Sequence, residues 1–93
     1  MAKTCSLGVE DTLTLATTCT LLTVSPISPR WLILYNSDQD VYVVTNAADG
    51  AALPSTGRRY FSAASLPATI DVSPYGAISI AGGAVGTLRF EVR

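Results

Sequence analysis

The sequence predicts an all-β protein, folded as a small antiparallel β-sandwich or barrel. The chain of 93 residues contains eleven threonines and nine serines, and threonine, together with valine and isoleucine, favours strands. Apolar and polar residues also alternate with period two in several short segments that turn residues separate. No segment repeats apolar residues at helical spacing over three turns. A chain of this length accommodates one domain.

The first part of the chain is predicted to form an extended arm followed by strand. Residues 1–10 are expected to be an N-terminal arm without a core of its own, and residues 11–93 a single domain. Alternation up to residue 21 predicts one long strand, or two strands broken near residues 16–18. The buried face of this strand is expected to carry four apolar side chains, those of Leu13, Leu15, Cys19 and Leu21.

The middle of the chain predicts a β-hairpin. Residues 31–35 are five bulky residues, residues 36–40 form a polar loop, and residues 41–45 are again strand-like. The first run has no polar alternation, so we expect it to be buried on both faces or covered by a neighbouring subunit. Asp38 and Asp40 in the loop are best explained by Asx-turn hydrogen bonds, because further calcium ligands are missing.

The second half predicts further short strands joined by turns. Residues 46–57 are expected to be a surface loop, and the segment after them a short strand or the entry to one. Residues 68–72 alternate, with Ile70 and Val72 inward.

The last segment, residues 85–92, is predicted to form a second hairpin with the strand before it. Its alternation places Leu88, Phe90 and Val92 inward and Glu91 outward. The whole chain is therefore expected to contain six to eight short strands in a jelly-roll-like arrangement.

The composition excludes most kinds of chemistry. There is no histidine, the commonest acid–base group and metal ligand in proteins, so we expect no enzymatic activity, metal or cofactor. The formal charge of −1 argues against a nucleic-acid partner. Cys5 and Cys19 do not have zinc-ligand spacing and are expected to be buried free thiols. No secretory signal or membrane-spanning stretch is recognised, so synthesis and assembly are expected in the cytoplasm.

Three groups of residues are candidates for a partner interface. Trp31, Tyr35 and Tyr42 lie on and around the predicted hairpin, where packing in the core or at an interface explains them better than base stacking. Arg58 and Arg59 are the one adjacent pair of positive charges, and they form either a contact to phosphate or partner carboxylates or a solubilising pair. The expected arm adds four residues that would dock on a partner, namely Ala2, Lys3, Leu7 and Val9.

Residues 31–93 resemble a known group of proteins. A bulky strand ending in Asn36 is followed by a Ser-Asp turn and by Val-Tyr-Val-Val. Later come Ala-Thr-Ile-Asp-Val, then Tyr-Gly-Ala-Ile-Ser-Ile-Ala-Gly-Gly, and finally Val-Gly-Thr-Leu-Arg-Phe-Glu-Val. This order is similar to that of small β-rich virion proteins of tailed bacteriophages, most of all capsid decoration (cement) proteins. The usual glycine before the middle strand is replaced by Leu66 and Pro67, and the N-terminal third shows no resemblance.

The resemblance implies a structural role. It predicts a non-enzymatic decoration protein that binds the outer capsid surface of the virion and stabilises the shell. The implied partner is the major capsid protein, and the implied state is a homo-oligomer, preferably a trimer. A phage neck, tail or fibre-base component is an alternative from the same group. A carbohydrate- or ligand-binding β module, with Trp31 and the tyrosines as its site, is an alternative of another class.

Overall fold

The computed structural model describes residues 2–25, 29–45, 47–75 and 77–93. These ranges contain nine strands and one short 3₁₀ helix, Ala63–Ser65. The strands are β1 (Lys3–Ser6), β2 (Glu10–Leu15), β3 (Thr20–Ser25), β4 (Trp31–Ser37), β5 (Val41–Thr45), β6 (Arg58–Phe61), β7 (Ala68–Asp71), β8 (Ile78–Gly82) and β9 (Gly86–Val92). The all-β prediction is confirmed, and the predicted number of six to eight strands is one too low.

The strands form two sheets that pack as a sandwich. One sheet has five strands in the order β1-β3-β8-β5-β6, and the other has four in the order β2-β9-β4-β7. Every pairing is antiparallel except that of β1 with β3. From β2 to β9, successive strands alternate between the sheets, with β5 and β6 as the one consecutive pair in the same sheet. This is the strand order of a jelly roll, as the sequence predicted.

Both predicted hairpins are wrong, although their strands are in the predicted places. β4 and β5 lie in different sheets, and so do β8 and β9. The segments between them carry the chain across the sandwich instead of back along the same sheet. In the first segment, the hydroxyl of Ser37 accepts a hydrogen bond from the Gln39 amide at 3.1 Å. Asp38 instead accepts one from the amide of Thr87 at 2.8 Å, which ties this segment to the start of β9.

The expected N-terminal arm is not confirmed. Residues 3–6 form β1, which pairs in parallel with β3 and extends the five-stranded sheet. Cys5 on this strand belongs to the core, and Lys3 forms an ion pair with Asp11 across the sandwich edge at 3.4 Å. The amide of Gly8 donates to the carbonyl of Val92 at 2.7 Å. The segment is therefore held by strand pairing, burial and a link to the far end of the chain.

The core lies between the two sheets and draws on both. Its fully buried side chains include Leu32, Leu34, Ile80, Leu88 and Phe90. β2 and β3 are separate strands, as one alternative predicted, and they lie in different sheets. The break between them shifts the alternation, so Leu22 is buried where the sequence predicted Leu21, which is only partly buried.

The loop after β5 covers the outer face of the five-stranded sheet. Cys19, Val44 and Ala81 form a second apolar cluster there, against which Ala47 and Leu53 of the loop pack. Backbone hydrogen bonds run from Cys19 to Ala51 at 2.8 Å and from Gly50 to Cys19 at 2.7 Å. Burial of both faces of the sheet at this point explains why β8 is buried along its whole length rather than in alternation.

The close approach between the β4–β5 connection and β9 predicts that replacing Gly86 destabilises the fold. A Cβ atom at Gly86 would overlap the Asp38 carboxylate and lie 2.5 Å from Cγ of Gln39. Asp38 cannot retreat without losing its bond to Thr87. We expect Gly86→Ala to lower the free energy of unfolding by about 1–3 kcal/mol, the usual effect of overpacking. Urea denaturation measures it. Gly83→Ala is the matched control, because its Cβ would be 3.7 Å from the nearest atom; equal losses would contradict the prediction.

Candidate functional site

The outer face of the four-stranded sheet carries an exposed aromatic residue beside paired charges. We call it the β4–β9 face and define it by six residues, which are Trp31, Ile33, Tyr35, Arg89, Glu91 and Arg93. Trp31 is 41% exposed, whereas Ile33 and Tyr35 are partly buried. The expectation that residues 31–35 are buried on both faces within the protein is therefore wrong, because only Leu32 and Leu34 enter the core. The other side of β4 points outward.

Glu91 is the buried charge of this face. Its side chain points outward, as predicted, but the residue is only 6% exposed. The hydroxyl of Tyr35 donates to Oε1 of Glu91 at 2.8 Å, and Nε of Arg93 donates to Oε2. These two hydrogen bonds, first that from Arg93 and then that from Tyr35, hold the pKa of Glu91 below its ordinary value of 4.5. The same contact with Glu91 raises the pKa of Tyr35.

Charges on the β4–β9 face neutralise one another. Glu10 of β2 lies directly opposite Glu91 of β9, so two carboxylates are neighbours across the strands. Arg89 donates to Glu10 from both Nε and Nη2, and Arg93 pairs with Glu91. Each carboxylate thus has its own guanidinium group. The face is left with paired charges and with the exposed ring of Trp31.

A second surface lies at the β6 edge of the five-stranded sheet. We call it the arginine edge, and it consists of Arg58 and Arg59 on β6 with the rings against which they pack. The guanidinium carbon of Arg58 is 4.8 Å from the centroid of the Tyr42 ring, and that of Arg59 is 5.6 Å from the centroid of Phe61. Tyr42 also contacts Tyr60, with ring centroids 5.3 Å apart. Tyr60 donates a hydrogen bond to Asp40 at 3.0 Å.

The structure separates the residues that the sequence predicts to form a partner interface. Trp31 and Tyr35 belong to the β4–β9 face, whereas Tyr42 and the two arginines belong to the arginine edge of the other sheet. The remaining four lie on β1 or beside it: Ala2 and Lys3 are partly buried, Leu7 packs against the core, and Val9 is exposed. Period-two alternation places Glu91 on the outer side of a strand, but no local pattern in the sequence indicates that it is the central polar residue of the β4–β9 face.

The remaining reactive groups offer no assembled reaction centre within the described ranges. Cys5 and Cys19 are free and buried, and burial is the main cause that raises the pKa of each thiol. Asp71 accepts two hydrogen bonds from Ser73, which lower the pKa of its carboxyl. Among the described residues, no three Cys, Asp or Glu side chains are grouped so that they could hold a metal ion.

The contacts of Glu91 predict a specific pH dependence. A lowered pKa means that ionised Glu91 stabilises the fold at pH values above the ordinary 4.5, and that this contribution is lost as the pH falls through the folded-state pKa. We expect the difference in free energy of unfolding between the wild type and Glu91→Gln to be largest near neutral pH and to shrink toward pH ~3. Urea denaturation across this range measures it.

Tyr35→Phe provides the companion variant, because it removes one donor and keeps the ring. We expect it to raise the Glu91 midpoint toward 4.5, measured by carbon-13 NMR titration of the carboxyl group. A Glu91→Gln difference that stays constant with pH, or a midpoint unmoved by Tyr35→Phe, would contradict the assigned contacts.

Burial of the two cysteines predicts slow thiol chemistry in the folded protein. We expect Ellman's reagent to leave Cys5 and Cys19 unmodified under native conditions and to modify both thiols after denaturation, because both residues are buried and each thiol pKa is raised. Ser6→Cys, which places a thiol at an exposed position on the same strand as Cys5, is the positive control. Rapid native labelling of the wild type would show that the thiols are accessible.

Comparisons with known proteins returned no relative. Neither the protein-family models, nor the curated proteins, nor the solved structures include a match to this chain. Within the described ranges, no helix has the length and apolar character needed to cross a membrane. A functional assignment therefore rests on the chemistry of the two surfaces and on the sequence resemblance.

Proposed function

We propose that this protein is a non-enzymatic structural subunit that binds a larger protein assembly through the β4–β9 face. The observation that carries the proposal is the exposure of Trp31, the one tryptophan of the chain, at 41% on a sheet face. Tryptophan is among the residues that contribute most binding energy at protein interfaces, especially when a partner covers it fully. Ile33, partly buried on the same strand, adds apolar surface beside it.

Paired charges make this face suitable for contact with a protein. Unpaired charges are costly to cover, because they lose their hydration without gaining a partner. On the β4–β9 face the Glu10–Arg89 and Glu91–Arg93 pairs are already formed. A partner can cover these two pairs without supplying counter-charges, and Asp71, opposite Trp31 in the strand register, keeps its hydrogen bonds from Ser73. A standard interface takes about 800 Å² from each partner, a small part of the 4930 Å² that the chain exposes.

We further propose that the assembly is a bacteriophage capsid and that the partner is the outer surface of the major capsid protein. The resemblance of residues 31–93 to capsid decoration proteins supports this choice. Jelly rolls occur in viral capsid proteins and also in lectins, which is an analogy of fold and carries no function by itself. The protein would then stabilise the shell of the virion, after assembly in the host cytoplasm, as a trimer.

Co-sedimentation with empty capsid shells of the virus that encodes the chain tests the proposal. We expect the wild type to pellet with the shells. Trp31→Ala should weaken binding by about 2 kcal/mol, roughly thirtyfold, which is the usual loss for a central aromatic residue. Tyr60→Ala is the matched control, because this tyrosine is 55% exposed but belongs to the other sheet.

Several outcomes would contradict the proposal. Absence of pelleting, or equal pelleting of the wild type and Trp31→Ala, would exclude shell binding through this face. A loss of binding in Tyr60→Ala alone would assign the contact to the arginine edge instead. A low copy number in purified virions would favour a neck, tail or fibre-base component. A reproducible hit on a glycan array that Trp31→Ala abolishes would favour the carbohydrate-binding alternative. A monomer at all concentrations in sedimentation velocity would contradict the trimer.

A further inference from the structure

A cleft opens between the two sheets beside the arginine edge. Its volume is about 250 Å³, and residues of both sheets line it. Val43 of β5 lines the cleft from the five-stranded sheet. Ile70 of β7 lines it from the other sheet, together with Val72, which directly follows β7. All three are buried, so the bottom of the cleft is apolar. Arg58 and Arg59 also line the cleft and are exposed.

Neither arginine of this edge has a carboxylate partner among the described residues. The ion pairs of the described ranges are formed by Lys3, Arg89 and Arg93. All seven acidic side chains have other partners: ion pairs engage Glu10, Asp11 and Glu91, and backbone amides donate to Asp38, Asp40, Asp49 and Asp71. The positive charge of the arginine edge is therefore available for an anionic group from another molecule.

Stacking on rings orients the two guanidinium groups. Arg58 lies over Tyr42 and Arg59 over Phe61, and a guanidinium group on an aromatic face keeps its N–H groups free to donate at its rim. A planar fork of donors matches a carboxylate in two-point contact, which a lysine ammonium cannot do. Arg59 lies opposite the buried Val43 in the strand register, and Arg58 lies opposite Val44. The two arginines thus belong to opposite faces of the sheet edge.

The backbone of β6 is available on one side. β6 pairs with β5 and has no second strand neighbour in the described part of the chain. A free strand edge presents unpaired N–H and C=O groups that an extended peptide can pair with. In such an added strand, alternate side chains point to opposite faces. One set would point toward the apolar cleft and the other toward the outer face of the sheet.

We propose that the arginine edge binds an extended acidic segment of a partner protein. The segment pairs with β6, directs aliphatic side chains toward the cleft on the face of Arg59, and sets acidic side chains on the outer face against Arg58. Arg59 adds positive charge beside the cleft. The apolar bottom of the cleft favours such a peptide over a nucleic acid, because phosphates gain nothing from it. The net charge of −1 also opposes nucleic-acid binding. This surface is separate from the β4–β9 face, so the inference goes beyond the proposed function.

The probe is a fluorescein-labelled peptide of alternating glutamate and valine. We expect saturable binding by fluorescence anisotropy, with amide NMR shifts in β6 and at Ile70, Val72 and Tyr75, which line the cleft. Loss of one charged hydrogen bond costs about tenfold in affinity, and the double variant Arg58→Gln/Arg59→Gln should lose at least that. Arg89→Gln, which removes one positive charge from an exposed arginine on the other sheet, is the matched control for the single variant Arg58→Gln, which should already show most of the loss.

Three further results separate the proposal from general charge attraction. A peptide of alternating lysine and valine should not bind, a peptide of glutamate and serine should bind more weakly than the valine peptide, and a labelled oligothymidylate should not compete. Failure of the glutamate–valine peptide to bind would overturn the inference, as would equal binding by the double variant, or by the lysine peptide or the oligonucleotide. None of these results depends on shell binding, so they leave the proposed function to its own test.

Discussion

The burial of the inner side of β9 positions its two neighbouring strands and the outer face of the four-stranded sheet. Leu88, Phe90 and Val92 point into the core from the middle of the four-stranded sheet. β9 pairs with β2 on one side and with β4 on the other, so its position sets the register of both. Because side chains alternate along a strand, burial of these three residues forces Arg89 and Glu91 to the outer face.

That forced alternation couples the core to the candidate site. Pairing of β9 with β4 places Ile33 directly opposite Glu91, and a register shift in β4 lies at Tyr35, whose hydroxyl reaches the same carboxylate. Bulges of this kind commonly re-aim a side chain. At its other end, β9 is held by the bond from Thr87 to Asp38. The polar face is therefore positioned by the packing beneath it.

Sequence patterns locate the strands better than they locate the neighbours of each strand. Alternation in β9 identifies Leu88, Phe90 and Val92 as inward residues, and the same pattern identifies Ile70 and Val72. Turn residues after β4 and after β8 predict hairpins, and both predictions are wrong. A turn reverses the direction of the chain whether the next strand joins the same sheet or the opposite one. Both sheets of a sandwich bury their apolar side chains against the same core. The alternation of the next strand is therefore the same whichever sheet it joins, and it cannot tell a hairpin from a crossing between the sheets.

Local sequence is enough to predict the fold class, the positions of most strands and the candidate side chains, because period-two alternation and turn residues are local properties. It identifies Trp31 and the two arginines without showing that they lie on different sheets. The folded structure was needed to establish that the N-terminal segment is a strand, and that Glu91 is covered by Tyr35 and Arg93. These outcomes depend on strand pairing and packing between distant segments, and local patterns do not record such contacts.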